Sequence, residues 1–305
     1  MLYRPLGRTG LSVSEIGLGC ASFWGKPAFD ERLARELVHV AIEAGVTFFD
    51  TGASYSAGQA EPRLGRALEG CAADGLVIAT KAGTFAGGGR IGRDFSPAAV
   101  VASAETSLRN LRIESLGLLQ LHGPDITDIT DELRAALSGL KARGLVRALG
   151  VNSFDPAVID HVIGLPEFDA VMIDYNVLRP EREPLMARAV EAGKGVLAGM
   201  PLAMGHTAPP VRRLRGPQEI WYLARALVRH RAELTRGARF RFLHDLEGMS
   251  GSQAALAYVL ARPDVSCAVM GTTRLSHLTE NIRASGMGLP AEVMARIRAT
   301  QALAS

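Results

Sequence analysis

The sequence predicts an α/β protein of the (β/α)₈ TIM barrel class, and two observations lead to this prediction. Eight apolar segments of strand length end at residues 19, 50, 81, 122, 152, 174, 199 and 271, all but the last 22 to 41 residues apart. A βα unit needs roughly 30 residues. Segments of helical periodicity lie between the apolar runs, as in a parallel barrel. A doubly wound sheet is the alternative that this spacing leaves open.

The predicted strands are near-continuous apolar runs, which is typical of parallel strands buried on both faces. They are Ile16–Gly19, Thr47–Asp50, Val77–Lys81, Leu116–His122, Val146–Asn152, Val171–Asp174, Gly195–Gly199 and Cys267–Gly271. Before them, residues 2–14 contain turn signals at Gly7 and Gly10, which predict a short N-terminal hairpin at the floor of the barrel.

Several helices are predicted from periodicity and from capping residues. Residues 32–44 repeat apolar side chains on one side. Ser96 precedes Pro97 at the start of a helix over 97–108, because serine at the N-cap and proline at the first helical position both favour initiation. Ser250 is expected to cap a helix over 254–261 in the same way.

The whole chain, residues 1–305, is predicted to form one barrel domain with an insertion after the seventh strand. The insertion, residues 206–249, contains nine arginines and four acidic residues, and residues 218–234 have a helical pattern. Loops in this position lie on the catalytic face. The sequence leaves open whether the segment is a solvated helix pair or a lid that contacts the substrate or a cofactor phosphate.

Composition limits the functional class. The chain has 48% hydrophobic and 21% charged residues and a net charge of +3, which is too balanced to indicate a nucleic-acid partner. We expect no membrane span and no signal peptide. The three cysteines are far apart, so we expect neither disulfides nor a metal site, and a reducing cytoplasm fits best. A monomer acting on a small molecule is the default expectation.

Several predicted strands end in a polar side chain where the apolar run stops. Among these side chains are Asp50, Lys81, His122 and Asn152, and Tyr55 follows Asp50 by five residues. Because barrel strands end at one face, we expect all five around one mouth. Each of them alone has a structural explanation, such as a cap, a surface charge or a hydrogen-bonded histidine. Together they predict a catalytic site.

This combination of side chains predicts a proton donor. A tyrosine phenol has an ordinary pKa of about 10, and we expect the Lys81 ammonium to lower the pKa of Tyr55. Asp50 would hold the lysine charged, and the imidazole of His122 would donate a hydrogen bond to a substrate oxygen. Such a site can protonate a carbonyl oxygen while the carbonyl carbon receives a hydride.

The sequence also resembles the aldo-keto reductase family over almost its whole length, in motifs whose order and spacing are specific. These motifs are Ile16-Gly17-Leu18-Gly19, Phe48 through Tyr55, Ala79-Thr80-Lys81, Leu119 through His122, Gly150 through Phe154, Tyr175-Asn176, and Gly271-Thr272 through Glu280-Asn281. The resemblance implies NAD(P)H-dependent reduction of aldehydes or ketones on a barrel.

The resemblance assigns roles to individual positions. It makes Tyr55 the general acid, Lys81 and Asp50 its tuning pair, and His122 the residue that orients the carbonyl. It implies NADP(H) as the preferred cofactor, with NAD(H) as the second choice. The residues implied for the nicotinamide end are Gly19, Cys20, Ala21, Asn152, Ser153, Met172 and Gly199, and those for the adenosine end are Gly271, Thr272, Arg274, His277, Glu280 and Asn281.

The chain departs from many members of that family within the implied cofactor site. Asn152 and Ser153 occur in the reverse order, Met172 replaces a glutamine, Gly199 replaces a stacking aromatic residue, and His277 replaces an arginine for which Arg274 could substitute. These departures keep open a non-catalytic cofactor-binding sensor or partner subunit on the same barrel. A lyase or isomerase that uses Lys81 as a Schiff base is a further alternative.

Two aromatic residues and a glycine-rich segment are also expected near the mouth of the barrel. Phe23 and Trp24 follow the first strand and are expected at the mouth as substrate contacts, with packing on the first helix as the alternative. Residues 87–92 match the GxGxxG dinucleotide fingerprint, but no helix is predicted directly after them. We therefore interpret them as a flexible loop beside the mouth.

Overall fold

The computed structural model describes residues 1–21, 23–72, 75–87, 90–208 and 231–303. Strands β1 (Tyr3–Pro5) and β2 (Ser12–Ser14) pair antiparallel. The barrel strands follow as β3 (Ile16–Gly19), β4 (Phe48–Asp50), β5 (Val77–Ala82), β8 (Leu118–His122), β9 (Leu149–Asn152), β10 (Ala170–Asp174), β11 (Gly195–Gly199) and β12 (Cys267–Gly271). They close in the order β10-β11-β12-β3-β4-β5-β8-β9, so the TIM barrel prediction is confirmed and the doubly wound sheet is wrong.

The described helices surround the barrel. They are α1 (Glu31–Glu43), α2 (Ala60–Leu68), α3 (Pro97–Leu111), α4 (Asp131–Ala142), α5 (Pro156–Ile163), α6 (Glu183–Glu191), α7 (Arg231–Ala238), α8 (Gly251–Leu260), α9 (Leu275–Ile282) and α10 (Ala291–Ala302). Ser96 and Ser250 cap α3 and α8 as predicted, although α8 begins three residues earlier than expected. No helix in the described ranges is long and apolar enough to cross a membrane.

Alternation along each strand divides the core into two layers. Phe48 of β4 packs inside the barrel, whereas its neighbour Phe49 packs between the barrel and the helices. Met172 and Ile173 of β10 divide in the same way. Because successive side chains of a strand point to opposite faces, every second residue of a barrel strand points to the interior.

The N-terminal hairpin closes the floor, as predicted. Leu6, Leu11 and Val13 join the interior cluster from below. The hairpin lies so close to β11 that a Cβ at Gly7 would lie 2.4 Å from the backbone nitrogen of Gly195. Gly7 also has a φ of +56°, so both sterics and backbone conformation require glycine there.

A second hairpin corrects one prediction. Strands β6 (Thr84–Gly87) and β7 (Arg90–Arg93) pair antiparallel directly after β5. The GxGxxG segment was expected to be a loop, but its described residues belong to this hairpin, while Gly88 and Gly89 lie outside the described residues. Helix α3 begins only at Pro97, so the segment does not form the strand-to-helix turn of a dinucleotide fingerprint.

Candidate active site

The interior positions of the strands bring the predicted polar side chains together. Asp50 follows Phe48 by two residues on β4, and Lys81 lies two residues beyond Ala79 on β5. Phe48 and Ala79 both point into the barrel, so Asp50 and Lys81 do so as well. His122 continues the interior row of β8 in the same way. The strand order puts β4, β5, β8 and β9 side by side.

Lys81 and Asp50 form a buried ion pair. Nζ of Lys81 donates to Oδ2 of Asp50 at 2.5 Å and to the carbonyl of Thr51 at 2.7 Å. Gln120 Nε2 donates to the other Asp50 oxygen at 3.0 Å. The Lys81 side chain is only 1% exposed. These contacts hold the ammonium in one position.

Opposing effects act on the protonation of this pair. Burial raises the pKa of Asp50, and hydrogen bonds from Lys81 and Gln120 oppose that rise. Burial alone would lower the pKa of Lys81, but Asp50 and Tyr55 together raise it above its ordinary value. Asp50 and Tyr55 thus favour the charged form of Lys81.

Tyr55 lies next to this cation, at the start of a 3₁₀ turn that follows β4. Nζ of Lys81 lies 4.9 Å from the centre of the Tyr55 ring. Burial raises the pKa of Tyr55, and Lys81 only partly counteracts it while Asp50 adds to the rise. The expectation of a lowered pKa is therefore wrong in its net sign, because desolvation of the phenolate outweighs the attraction of the ammonium. Tyr55 keeps its proton at neutral pH.

His122 stands beside Tyr55 at the end of β8. The two rings are 5.4 Å apart between centroids and nearly perpendicular, at 88°. Nδ1 of His122 is 2.7 Å from the hydroxyl oxygen of Thr84 on β6. Burial and the nearby Lys81 lower the pKa of His122 from 6.5 to about 4. The imidazole is therefore neutral at neutral pH, and its other nitrogen makes no hydrogen bond to the described residues.

These groups open on a cavity of about 580 Å³, within the range of small-molecule sites. Its polar side chains are those of Asp50, Tyr55, His122, Asn152, Thr207, His244 and Ser252. Its apolar wall is formed by Phe154, Met172, Met200, Pro201, Leu202, Met204, Val269 and Met270. The cavity therefore offers a ligand both polar partners and apolar contacts.

Most residues expected at the nicotinamide end line this cavity, namely Gly19, Ala21, Asn152, Met172 and Gly199. Cys20 is not among the lining residues, since its side chain is fully buried and burial raises the pKa of its thiol well above the ordinary value. Ser153 is also buried away from it, and its hydroxyl accepts a hydrogen bond from the backbone of Asp155 at 3.2 Å.

The residues expected at the adenosine end lie along the loop after β12 and on α9. Gly271 lines the cavity. The hydroxyl of Thr272 accepts a hydrogen bond from the backbone of Arg274 at 3.1 Å, and the Arg274 side chain is exposed. His277 is exposed as well. The side chains of Arg274 and His277 are thus both exposed on this edge.

The last two expected residues, Glu280 and Asn281, already have partners within the protein. The carboxylate of Glu280 accepts a hydrogen bond from the Ser250 hydroxyl, which joins α9 to the N-terminus of α8. Asn281 is buried, and its side-chain amide lies 3.6 Å from the sulfur of Met270.

The donors at this mouth fit a nicotinamide nucleotide. The Asn152 side chain lines the cavity, and within the described part of the chain its amide makes no hydrogen bond, so a donor and an acceptor are available for a carboxamide. Gly19 and Gly271 line the cavity at the strand ends without side chains, so a ligand can approach their backbone. The exposed Arg274 and His277 could pair with phosphate.

The two aromatic residues expected at the mouth occupy other places. Trp24 is 1% exposed and packs edge-on against Phe29, with ring centroids 5.5 Å apart. Phe23 is partly buried, with Nζ of Lys26 lying 4.3 Å from its ring centroid. Neither lines the cavity. The substrate expectation for Trp24 is therefore wrong, because its ring belongs to the core.

The insertion at 206–249 is described at residues 206–208 and 231–249. Of these, Thr207, Ala208 and His244 line the cavity. Arg236 and Arg239 donate to main-chain carbonyls elsewhere, at 3.3 and 2.7 Å. The predicted helix at 218–234 lies outside the described residues except for its last four, which begin α7.

Several residues at or beside this mouth are absent from the residues predicted from the sequence. Gln120 could have been found, because it lies two residues before His122 in the same interior row. Thr84 could not, because it follows the strand in a hairpin that no pattern predicted. Phe154, Leu202 and Met204 come from loops, whose side chains follow no periodicity.

Comparison with known proteins gives one consistent result. The family model described as "Aldo/keto reductase family" matches residues 15–302. The uncharacterized oxidoreductase YqkF of Bacillus subtilis is 30% identical over 289 residues, covering 93% of this chain and 91% of its own. L-galactose dehydrogenase of Arabidopsis thaliana is 28% identical over 314 residues, covering 97% and 93%.

A solved structure agrees with the sequence comparisons. An aldo-keto reductase from Bacillus halodurans, determined in a holo form, superposes with a TM-score of 0.81 at 27% identity. The match covers 98% of this chain and 96% of that chain. The similarity therefore extends over the whole barrel.

Proposed function

The chain belongs to the aldo/keto reductase family and is an oxidoreductase, and from this premise we propose that it reduces an aldehyde or ketone to an alcohol with a nicotinamide cofactor. The reaction is reversible on the same residues. One observation carries the proposal: Lys81, fixed by Asp50, lies next to Tyr55 at a cavity that His122 also lines.

In this function Tyr55 is the general acid. Its phenol is protonated at neutral pH, since the ordinary pKa of a phenol is about 10 and burial raises the pKa of Tyr55 further. As negative charge develops on the carbonyl oxygen, the hydroxyl of Tyr55 gives up its proton, and the Lys81 ammonium stabilises the phenolate that remains. The cation thus acts on the transition state, where the phenolate forms, more than on the resting enzyme.

His122 orients the substrate. A neutral imidazole can donate one hydrogen bond to the carbonyl oxygen without competing with Tyr55 as an acid. Its lowered pKa, about 4, keeps it neutral throughout the physiological range. The Lys81 ammonium contributes to that lowering, so one cation serves both residues.

The cofactor would lie across the mouth, held at one end by Asn152 and by the backbone at Gly19 and Gly271, and at the other by Arg274 and His277. When bound, it supplies a hydride to the carbonyl carbon. We propose NADP(H) as the preferred form and NAD(H) as the second choice, because the exposed side chains of Arg274, just before α9, and His277, on α9, could donate hydrogen bonds to a phosphate.

The substrate is proposed to be a small carbonyl compound with an apolar substituent. Six of the lining residues are methionine, leucine or phenylalanine, namely Phe154, Met172, Met200, Leu202, Met204 and Met270. An aromatic or aliphatic substituent would pack against these side chains.

Use of Lys81 as a Schiff base is disfavoured. An amine must be neutral to attack a carbonyl, whereas Lys81 is held charged by Asp50 and donates to the Thr51 carbonyl as well. It also does not line the cavity.

The substitution Tyr55→Phe tests the proposal. Reduction of a panel of aldehydes, followed by consumption of NADPH, should fall by about a hundredfold to ten-thousandfold. NADPH binding, followed by fluorescence titration, should stay within about twofold. Tyr3→Phe is the matched control, because Tyr3 is exposed and its hydroxyl donates to the carbonyl of Gly45.

Two results would contradict the proposal. Undiminished turnover in Tyr55→Phe would remove the assigned acid. Tight NADPH binding by the wild-type chain without turnover of any carbonyl in the panel would favour a cofactor-binding sensor or partner subunit.

A further inference from the structure

A line of hydrogen bonds leads from His122 away from the cavity. Nδ1 of His122 is 2.7 Å from the Thr84 hydroxyl oxygen, and that oxygen is 3.0 Å from the Ser54 hydroxyl oxygen. Ser54 is 3% exposed. Ser54 directly precedes Tyr55 in the chain, so these hydrogen bonds connect the segment of the proposed acid to the imidazole of His122.

The hairpin after β5 holds Thr84 in place. The residue before it, Gly83, has a φ of +91° and lies against the ring of Phe95, which a Cβ at Gly83 would approach to 2.0 Å. The Gly83 carbonyl accepts a hydrogen bond from the backbone of Asp94 at 3.0 Å. Since only glycine fits there, the chain leaves β5 in one direction and brings the Thr84 hydroxyl to His122.

The hydroxyl protons in this line can be assigned from their acceptors. If Nδ1 of His122 carried a proton and donated to Thr84, either the Ser54 or the Thr84 hydroxyl proton would have no acceptor among the described residues. If Ser54 donates to Thr84 and Thr84 donates to Nδ1, every proton has an acceptor. Buried donors without acceptors are unfavourable, so the second arrangement is preferred.

We propose that Thr84 is a positioning residue that fixes His122 in the tautomer with its proton on Nε2, directed at the substrate carbonyl. The proposal rests on the proposed function and adds to it the group that sets the direction of the hydrogen bond. With the proton on Nδ1 instead, Nε2 would present a lone pair to the carbonyl oxygen, which repels it.

The tautomer can be measured without any reaction. In the full chain labelled with ¹⁵N-histidine, the two ring nitrogens of His122 give separate resonances for protonated and unprotonated nitrogen, and the spectrum of His122→Gln identifies them among the seven histidines. At pH 7 we expect a protonated Nε2 and an unprotonated Nδ1. In Thr84→Val the two tautomers should become mixed, and Thr84→Ser should restore the single form.

Kinetics give the second readout. Thr84→Val should lower kcat/KM for an aldehyde by about tenfold, the factor that corresponds to one lost hydrogen bond in the transition state. Thr84→Ser should recover most of it, because serine keeps the hydroxyl. Thr106→Val is the control for the same chemical change at an exposed helical site, where the hydroxyl only accepts from Arg109.

Three outcomes would overturn the proposal: a wild-type proton on Nδ1, an unchanged tautomer in Thr84→Val, or a Thr84→Ser variant as impaired as Thr84→Val. A melting temperature for each variant separates loss of the hydroxyl from loss of folding. A wild-type chain that reduces no carbonyl would refute the proposed function alone, since the tautomer is measured independently.

Discussion

The neutral, buried imidazole of His122 makes the stability of the fold depend on pH. Its pKa is lowered from 6.5 to about 4, first by burial and then by Lys81. Between these two values the unfolded chain takes up a proton at His122 that the folded chain does not. The contribution of His122 to stability is therefore intact above pH 6.5 and is lost as the pH falls toward 4.

The size of the effect follows from the two pKa values. Each pH unit over which only the unfolded state is protonated corresponds to about 1.4 kcal/mol. The loss reaches about 2 kcal/mol at pH 5 and about 3 kcal/mol at pH 4. Both are sizeable fractions of the usual free energy of unfolding.

Urea denaturation at pH 7 and pH 5 measures this loss in wild type and in His122→Gln, whose side chain cannot titrate. We expect wild type to lose about 2 kcal/mol more than the variant between these values. His161→Gln is the control at an exposed histidine on α5 and should follow wild type. Equal losses in wild type and His122→Gln would refute the neutral, desolvated imidazole on which the substrate-orienting role depends.

Two further predictions concern charge at the site. Lys81→Met should destabilise the fold by about 3–5 kcal/mol, as measured by urea denaturation, because Asp50 is left buried without its cation. The double variant Asp50→Leu/Lys81→Met should recover most of the stability but none of the activity. If turnover returned in the double variant, the pair would be structural and not catalytic. Arg274→Ala should raise Kd for NADPH by about tenfold and that for NADH by less than about twofold; equal losses of affinity for NADPH and NADH in a fluorescence titration would mean that another residue binds the phosphate.

Much of the barrel could be predicted because its strands are short and buried on both faces. Every predicted barrel strand lies within three residues of the observed one. The largest differences are at the starts of β8 and β9, where Leu116 and Val146 pair only as an isolated bridge. Apolar residues precede the regular hydrogen-bonded pairing of both strands, so a prediction from apolar composition starts both strands too early.

The hairpin β6–β7 was not predicted, for a different reason. Its residues are mostly exposed and rich in glycine, so neither burial nor alternation produces a pattern. The position of Trp24 could not be predicted from the sequence either. Its large apolar ring could fill a mouth or a core, and only the position of Phe29 places it in the core.

The sequence alone predicts which side chains point into the barrel. Two-residue alternation and a common strand end are local properties, so Asp50, Lys81 and His122 could be assigned to one mouth from the sequence. The protonation and the hydrogen bonds of these groups depend on the folded structure. The degree of burial, which reverses the expected shift in the pKa of Tyr55, and the hydroxyl of Thr84 on His122 both depend on segments brought together by folding.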